Sequence, residues 1–210
     1  MKFDYGEIYK KYNMDGIIQV GTGTVKVHDI FDETPEFMKE ADCIFVDPPC
    51  SAGNLSTFYT KAEKAKRVNQ FAPFEARLFE VIREINPEHL FIEVFKSNKD
   101  SFYAEIQKMY KHTRIYNSMY YGNKKNQCWI IQASNTLDED LGFDGLDEEK
   151  IIEKLCEKDF YSCIGDMCMG KGLVGFYANK NGKRFVGTEL NEKRLAVLIE
   201  RIKTGRILMK

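Results

Sequence analysis

The chain has 210 residues, of which 43% are apolar and 30% charged, and its formal net charge is −1. That is the size of one ordinary domain with room for a sizeable core, and the composition excludes collagen-like, coiled-coil and disordered chains. No apolar run approaches the roughly 20 residues of a membrane span, and the N-terminal MKFDYGEIYKKYN holds no signal-peptide stretch.

From the N-terminus, short apolar and period-two runs predict strands near 17–20, 24–28 and 43–47, with a helix over 34–40. Helices follow at 61–68 and 72–85, then a strand at 89–95 and a helix at 98–110. Strands at 113–121 and 127–133 flank the turn Gly-Asn-Lys-Lys-Asn of 122–126 and predict an antiparallel hairpin. Residues 108–126 carry five bases, four tyrosines and no acid, which suits either a phosphate-contacting edge or a tyrosine-rich hairpin packed on its own sheet. Residues 138–149 carry seven acids and no base, and read as an exposed connection that divides a 1–137 part from a 150–210 part. Beyond it come a helix at 147–157, a strand at 160–164, a helix at 173–180, a strand at 184–189 and a helix at 191–203. In the last helix Leu195, Leu198, Ile199 and Ile202 share one face, and residues 192–210 are again basic. The alternation predicts an α/β domain with a mostly parallel sheet and helices on both faces. There is no internal repeat.

Six cysteines lie at 43, 50, 128, 156, 163 and 168 with no CxxC pair, and the three histidines are far apart. No zinc site or other metal site is expected, and a chain this long folds without disulfides, so the thiols read as reduced and the protein as cytoplasmic.

Two sites carry the chemistry. The first runs from a strand into Asp166-Met167-Cys168-Met169-Gly170-Lys171-Gly172 and opens a helix; the following strand ends at Glu189. Glycines let a backbone approach a ligand, a helix N-terminus offers free N–H groups, and an acid at the next strand end holds ribose hydroxyls. Gly170-Lys-Gly-Leu-Val-Gly175 matches the dinucleotide fingerprint, with Glu189 nineteen residues after Gly170. Asp166 stands where a dinucleotide strand is apolar, and only 21 residues follow Glu189, so the rest of the sheet must come from the preceding sequence. A nicotinamide enzyme is therefore the weaker reading. The second site is Asp42-Cys-Ile-Phe-Val-Asp47-Pro48-Pro49-Cys50, an apolar strand ending in an acid and two prolines that fix φ and present carbonyl acceptors. A turn that merely stops a strand, with Asp47 accepting a local hydrogen bond, is its plain alternative.

Together these motifs resemble the S-adenosylmethionine-dependent methyltransferases of adenine N6 and cytosine N4, whose hallmark is an Asp/Asn/Ser-Pro-Pro-aromatic loop. The order, catalytic loop first and cofactor loop last, is similar to their circularly permuted branch, and Phe185-Val-Gly187-Thr-Glu189-Leu-Asn191 is similar to the tail of that branch. The resemblance implies a Rossmann-like sheet of seven strands with one antiparallel strand, and S-adenosylmethionine as cofactor. It implies duplex DNA with a flipped base as substrate. Asp47 and the Pro48 carbonyl become acceptors for the amino hydrogens, within a catalytic loop of Asp47, Pro48, Pro49 and Cys50. Asp166, Met167, Cys168, Gly170, Gly172, Glu189 and Asn191 become the cofactor site, with Asp29 either facing the same pocket or simply capping its strand end. The Asp start leans toward adenine over cytosine.

Two positions depart from the family pattern. Cys50 replaces the aromatic of the catalytic loop, and Cys168 the Phe before the first cofactor glycine. Residues 52–74 carry Lys61, Lys64, Lys66 and Arg67 against Glu63, interleaved with aromatics. Phe58, Tyr59, Lys61, Lys64 and Arg67 are the candidates for substrate contact, with Phe71 and Phe74 as further rings; a solvated helix face beside core aromatics is the alternative. No segment is long enough for a separate target-recognition domain, which implies short or relaxed specificity, a homodimer or a recognition subunit. RNA or protein-amide methylation, and a non-catalytic nucleic-acid-binding subunit, are the rival functions.

Overall fold

A computed structural model describes residues 7–205, the side chain of Tyr121 excepted. The six residues of the N-terminal motif-free segment and the last five of the basic tail lie outside the described residues.

Eight strands form one sheet: β1 (Ile17–Val20), β2 (Gly23–Val27), β3 (Cys43–Val46), β4 (His89–Val94), β5 (His112–Met119), β6 (Gln127–Ser134), β7 (Cys163–Asp166) and β8 (Arg184–Glu189). Their order is β1-β2-β8-β7-β3-β4-β6-β5. All but β1 and β6 run the same way; β6 pairs antiparallel with both β4 and β5, as the predicted hairpin requires. The 17–20 run, left over in a seven-strand count, pairs antiparallel with β2 across a tight turn and adds an eighth strand at the edge.

Among the described residues the α-helices are α1 (Ala52–Lys61), α2 (Ala72–Ile85), α3 (Lys99–Ile106), α4 (Glu148–Cys156), α5 (Leu173–Lys180) and α6 (Glu192–Thr204). Strands β3 and β4 are buried at every residue, which accounts for their continuous apolar runs: both faces are covered. On one face the apolar sides of α1, α2 and α3 pack over Ile44, Val46, Leu90 and Ile92. On the other, α4, α5 and α6 pack over Phe45, Phe91, Ile164 and Phe185. The face of α6 foreseen from its spacing, Leu195, Leu198 and Ile199, is buried there.

One helix falls elsewhere than expected. Of the run 61–68 only Lys61 is helical, as the last residue of α1, which occupies 52–61. Ser51 caps it, its hydroxyl accepting the Asn54 N–H at 3.2 Å, and Glu63 at φ 57° ends any continuation into the basic run. The predicted helix at 34–40 is a short 3-10 turn, Glu36–Glu40. The acidic connection is only partly exposed: Phe143 is fully buried between strands and helices, and Asp147 caps α4 by accepting the Lys150 N–H at 2.9 Å.

Candidate active site

Strands β7 and β3 are neighbours, but the chain leaves them in opposite directions along the sheet, β7 toward β8 and β3 toward β4. The helices that follow leave by opposite faces, so a cleft opens at the carboxyl ends of these two strands, where ligands of open α/β sheets bind. Both sequence motifs end there.

Asp47 follows the last residue of β3 directly. Its carboxylate accepts a hydrogen bond from the Tyr120 hydroxyl at 3.1 Å. Burial pushes its pKa up to about 6, against the opposing pull of that hydrogen bond and of the Arg194 charge. Pro48 and Pro49 are buried. The Cys50 N–H donates to Asn54 Oδ1 at 3.2 Å, so the first turn of α1 holds the loop in place. A cavity of about 380 Å³ opens beside Asp47, walled by Pro48, Cys50 and Asn54, by the rings of Phe58, Phe95 and Tyr120, and by Lys125, Asn126 and Gln127. That volume lies in the range of small-molecule sites.

Asp166 ends β7, and its buried carboxylate accepts the Cys168 N–H at 2.9 Å; burial holds its pKa well above the usual carboxylate range. Met167 is buried in the core beneath the loop, its carbonyl accepting from Thr188 Oγ1 at 3.2 Å. Gly170 takes φ 54° and Gly172 φ 72°, left-handed values that suit glycine. The two differ in surroundings. A Cβ on Gly172 would stand 2.6 Å from Leu198 Cβ, whereas one on Gly170 would meet nothing closer than Arg194 Nη1 at 3.8 Å. The Gly170 face is thus open to the cleft. Glu189, buried at the end of β8, accepts the Gly170 N–H at 2.6 Å and the Asn191 N–H at 2.9 Å, and burial raises its pKa. Asn191 caps α6 and ties it to α1 through Nδ2 to the Lys61 carbonyl at 3.0 Å.

The candidate substrate residues divide. Phe58 lines the cavity, its ring 4.7 Å under the Arg194 guanidinium. Tyr59 is buried and donates its hydroxyl to both Asp29 oxygens at 2.9 Å, so it and Asp29 brace one another below the loop, and the ring does not face the cavity. Arg67 pairs with Asp32 at 2.8 Å on the surface. Neither Lys61 nor Lys64 lines the cavity, although the Lys64 charge reaches Glu189. Phe74 is a core residue of α2, with Phe71 packed against the same cluster. Phe95, Tyr120 and Arg194 are among the site residues that escape the sequence reading. Each follows a strand end or opens a helix at the cleft edge, and that position is the signal that would have found them. Among the described residues, no group of three or more His, Cys, Asp or Glu is placed to hold a metal ion, all six cysteines are free, and no helix is long and apolar enough to cross a membrane.

Asp47, Asp166 and Glu189 thus gather with a glycine turn at a strand-order switch of an open α/β sheet, beside a pocket walled by aromatic and polar side chains. The fold is that of DNA methyltransferases. M1.HpyAVI superposes with a TM-score of 0.55 at 14% identity over 84% of this chain and 97% of its own, and its complex with SAM gives 0.54. TTHA0409 from Thermus thermophilus, complexed with S-adenosyl-L-methionine, gives 0.54 at 13% identity over 79% and 86%. The PvuII DNA methyltransferase, cytosine-N4-specific, gives 0.53 at 9% identity over 89% and 94%. No protein-family model matches the sequence, and no curated protein sequence matches it.

Proposed function

We propose that the protein transfers a methyl group from S-adenosylmethionine to an exocyclic amino group of a DNA base, adenine N6 in the first instance. The observation that carries this reading is the juxtaposition at one cleft of Asp47-Pro48-Pro49 on β3 and the Asp166–Gly172 turn on β7, with the 380 Å³ cavity opening beside Asp47.

The cleft suits the cofactor. The open face over Gly170 admits a ligand against the backbone, and Glu189 retains lone pairs beyond the two amide hydrogen bonds it accepts. Gly170, Gly172, Asp166 and Glu189 would hold it. When bound, S-adenosylmethionine supplies an electrophilic methyl group on a sulfonium. The protein's part is at the amine, whose lone pair is conjugated into the base ring. The Asp47 carboxylate and the Pro48 carbonyl accept its hydrogens, favour a pyramidal nitrogen and stabilise the positive charge that grows on attack. Tyr120 holds Asp47 in place for that task. Phe58, Phe95 and Tyr120 supply rings to hold the base, which offsets the missing aromatic at Cys50. Lys125 at the mouth suits a phosphate.

Radiolabelled methyl transfer to unmethylated DNA, followed by nucleoside analysis, tests this. Label on N6-methyladenine that Asp47→Ala abolishes is the expected result. Label on N4-methylcytosine corrects the base, and label only on RNA or protein corrects the substrate. No label and no cofactor binding sinks the enzyme reading in favour of a non-catalytic subunit, which Cys50 and Cys168 would then explain.

A further inference from the structure

Glu93 lies on β4 with no exposed surface, and neither of its carboxyl oxygens has a hydrogen-bond partner beyond the weakly polar Cys128 sulfur. The parallel register pairs Val46 with Ile92, so the next step along both strands sets Asp47 beside Glu93. Two residues back, Phe45 and Phe91 belong to the core under α4, α5 and α6. Strand alternation therefore turns Asp47 and Glu93 to that same face, at the carboxyl edge of the sheet. Glu148, the buried first residue of α4, covers them. The groups facing Glu93 are Asp47 from β3, Glu148 from α4 and Cys128 from β6, none of them a cation. Arg194 and Tyr120 face Asp47 from its other sides. Burial first, then the like charges of Asp47 and Glu148, raises the Glu93 pKa well above the carboxylate range.

We propose that Glu93 is a positioning residue of this site, holding one proton jointly with Asp47 so that the pair presents a single negative charge to the cleft. The inference deepens the methyltransferase reading and rests on it for the identity of the amine. A methylated amino nitrogen must shed a proton: its N–H bond breaks, the electron pair stays on nitrogen, and a new O–H bond forms on the Asp47 carboxylate. The pair then returns that proton to solvent before the next turnover.

The test uses Glu93→Gln, which keeps the shape and fixes the neutral state. A carboxyl whose folded pKa is raised makes the folded state bind more protons, so the wild type loses stability as pH rises above the ordinary carboxylate range. The glutamine variant lacks that loss, and its melting temperature gains on the wild type between pH 5 and pH 8. A constant difference across that range overturns the proposal. In carbon NMR titration of labelled Asp side chains, with Asp47→Asn giving the assignment, the Asp47 midpoint rises by about half a pH unit or more in the variant, because its anion is no longer shared. An unmoved midpoint also overturns it. The acid limb of methyl transfer moves with that midpoint. A wild type that titrates as described but methylates nothing sinks the methyltransferase reading and leaves the shared proton standing.

Discussion

Gly170 and Gly172 share a backbone conformation but not a neighbourhood, and substituting alanine at each separates binding from folding. A left-handed φ costs a non-glycine residue about 1–2 kcal/mol. At Gly170 that is the whole structural cost, since the added methyl finds its nearest neighbour 3.8 Å away. At Gly172 the methyl lies 2.6 Å from the Cβ of Leu198, a fully buried residue whose backbone is fixed in α6, and it cannot move aside by changing rotamer. Overpacking adds about 1–3 kcal/mol, for a total of about 2–5 kcal/mol. In a chain of this length each kcal/mol lowers the melting temperature by about 2–4 °C. Thermal melting should therefore show Gly172→Ala falling about twice as far as Gly170→Ala. Calorimetric titration with S-adenosylmethionine should show the reverse order for the remaining folded protein, Gly170→Ala losing affinity because its methyl stands on the open face of the cleft. Equal melting temperatures would refute the packing argument, and wild-type affinity in Gly170→Ala would refute the role of that face.

Tyr120→Phe removes a hydrogen bond to a carboxylate, an interaction of about 1.5–3 kcal/mol, and moves the Asp47 midpoint upward from about 6; pH–rate profiles of methyl transfer report the shift. Phe58→Ala and Phe95→Ala each weaken base binding by about 1–3 kcal/mol, read as a higher KM for DNA with the melting temperature of Phe95→Ala little changed. Arg194→Ala lifts the pKa of both Asp47 and Glu189, since its charge lowers each, so the acid limb of activity moves to higher pH. Lys125→Ala lowers the salt dependence of DNA binding by about one counterion in a log–log plot of affinity against salt.

The central strands were legible because burial on both faces leaves an apolar run: CIFV and HLFIEV are buried at every position. Helix α1 was not, because Ser51-Ala-Gly-Asn54 has loop composition and its capping depends on one hydroxyl; the basic run 61–68 has better helical composition, but Glu63 at φ 57° interrupts it. The site shows the same division. Asp47, Asp166, Gly170 and Glu189 belong to local motifs whose meaning does not depend on distant sequence. Phe95, Tyr120 and Arg194 acquire their place only when β4, β5 and α6 deliver them, and Tyr120 reaches Asp47 across 73 positions of sequence. A positional rule would have recovered two of them: the residues just past the carboxyl ends of β3, β4 and β5 are Asp47, Phe95 and Tyr120, and all three wall the same cavity. Tyr59 misled in the opposite direction, since an aromatic beside Phe58 on a helix points about 100° away from it and meets the core instead.

Under the proposed function, the same positional rule supplies the rings that Cys50 does not. An aromatic in the catalytic loop would put the base-holding ring in the same four-residue loop as the two acceptors of the amino hydrogens, Asp47 and the Pro48 carbonyl. Here the rings come from three other elements: Phe58 on α1, Phe95 after β4 and Tyr120 after β5, the last two 6.1 Å apart between ring centres. Tyr120 combines two tasks, because its ring walls the cavity while its hydroxyl fixes and partly stabilises the Asp47 anion. A base that displaced the ring would loosen the acceptor as well, so substrate fit and the charge state of Asp47 are mechanically linked through one side chain. Glu93 stands behind the same carboxylate on the buried side. Asp47 is thus held from the cleft by a hydrogen-bond donor and from the core by a second acid, and its charge depends on both.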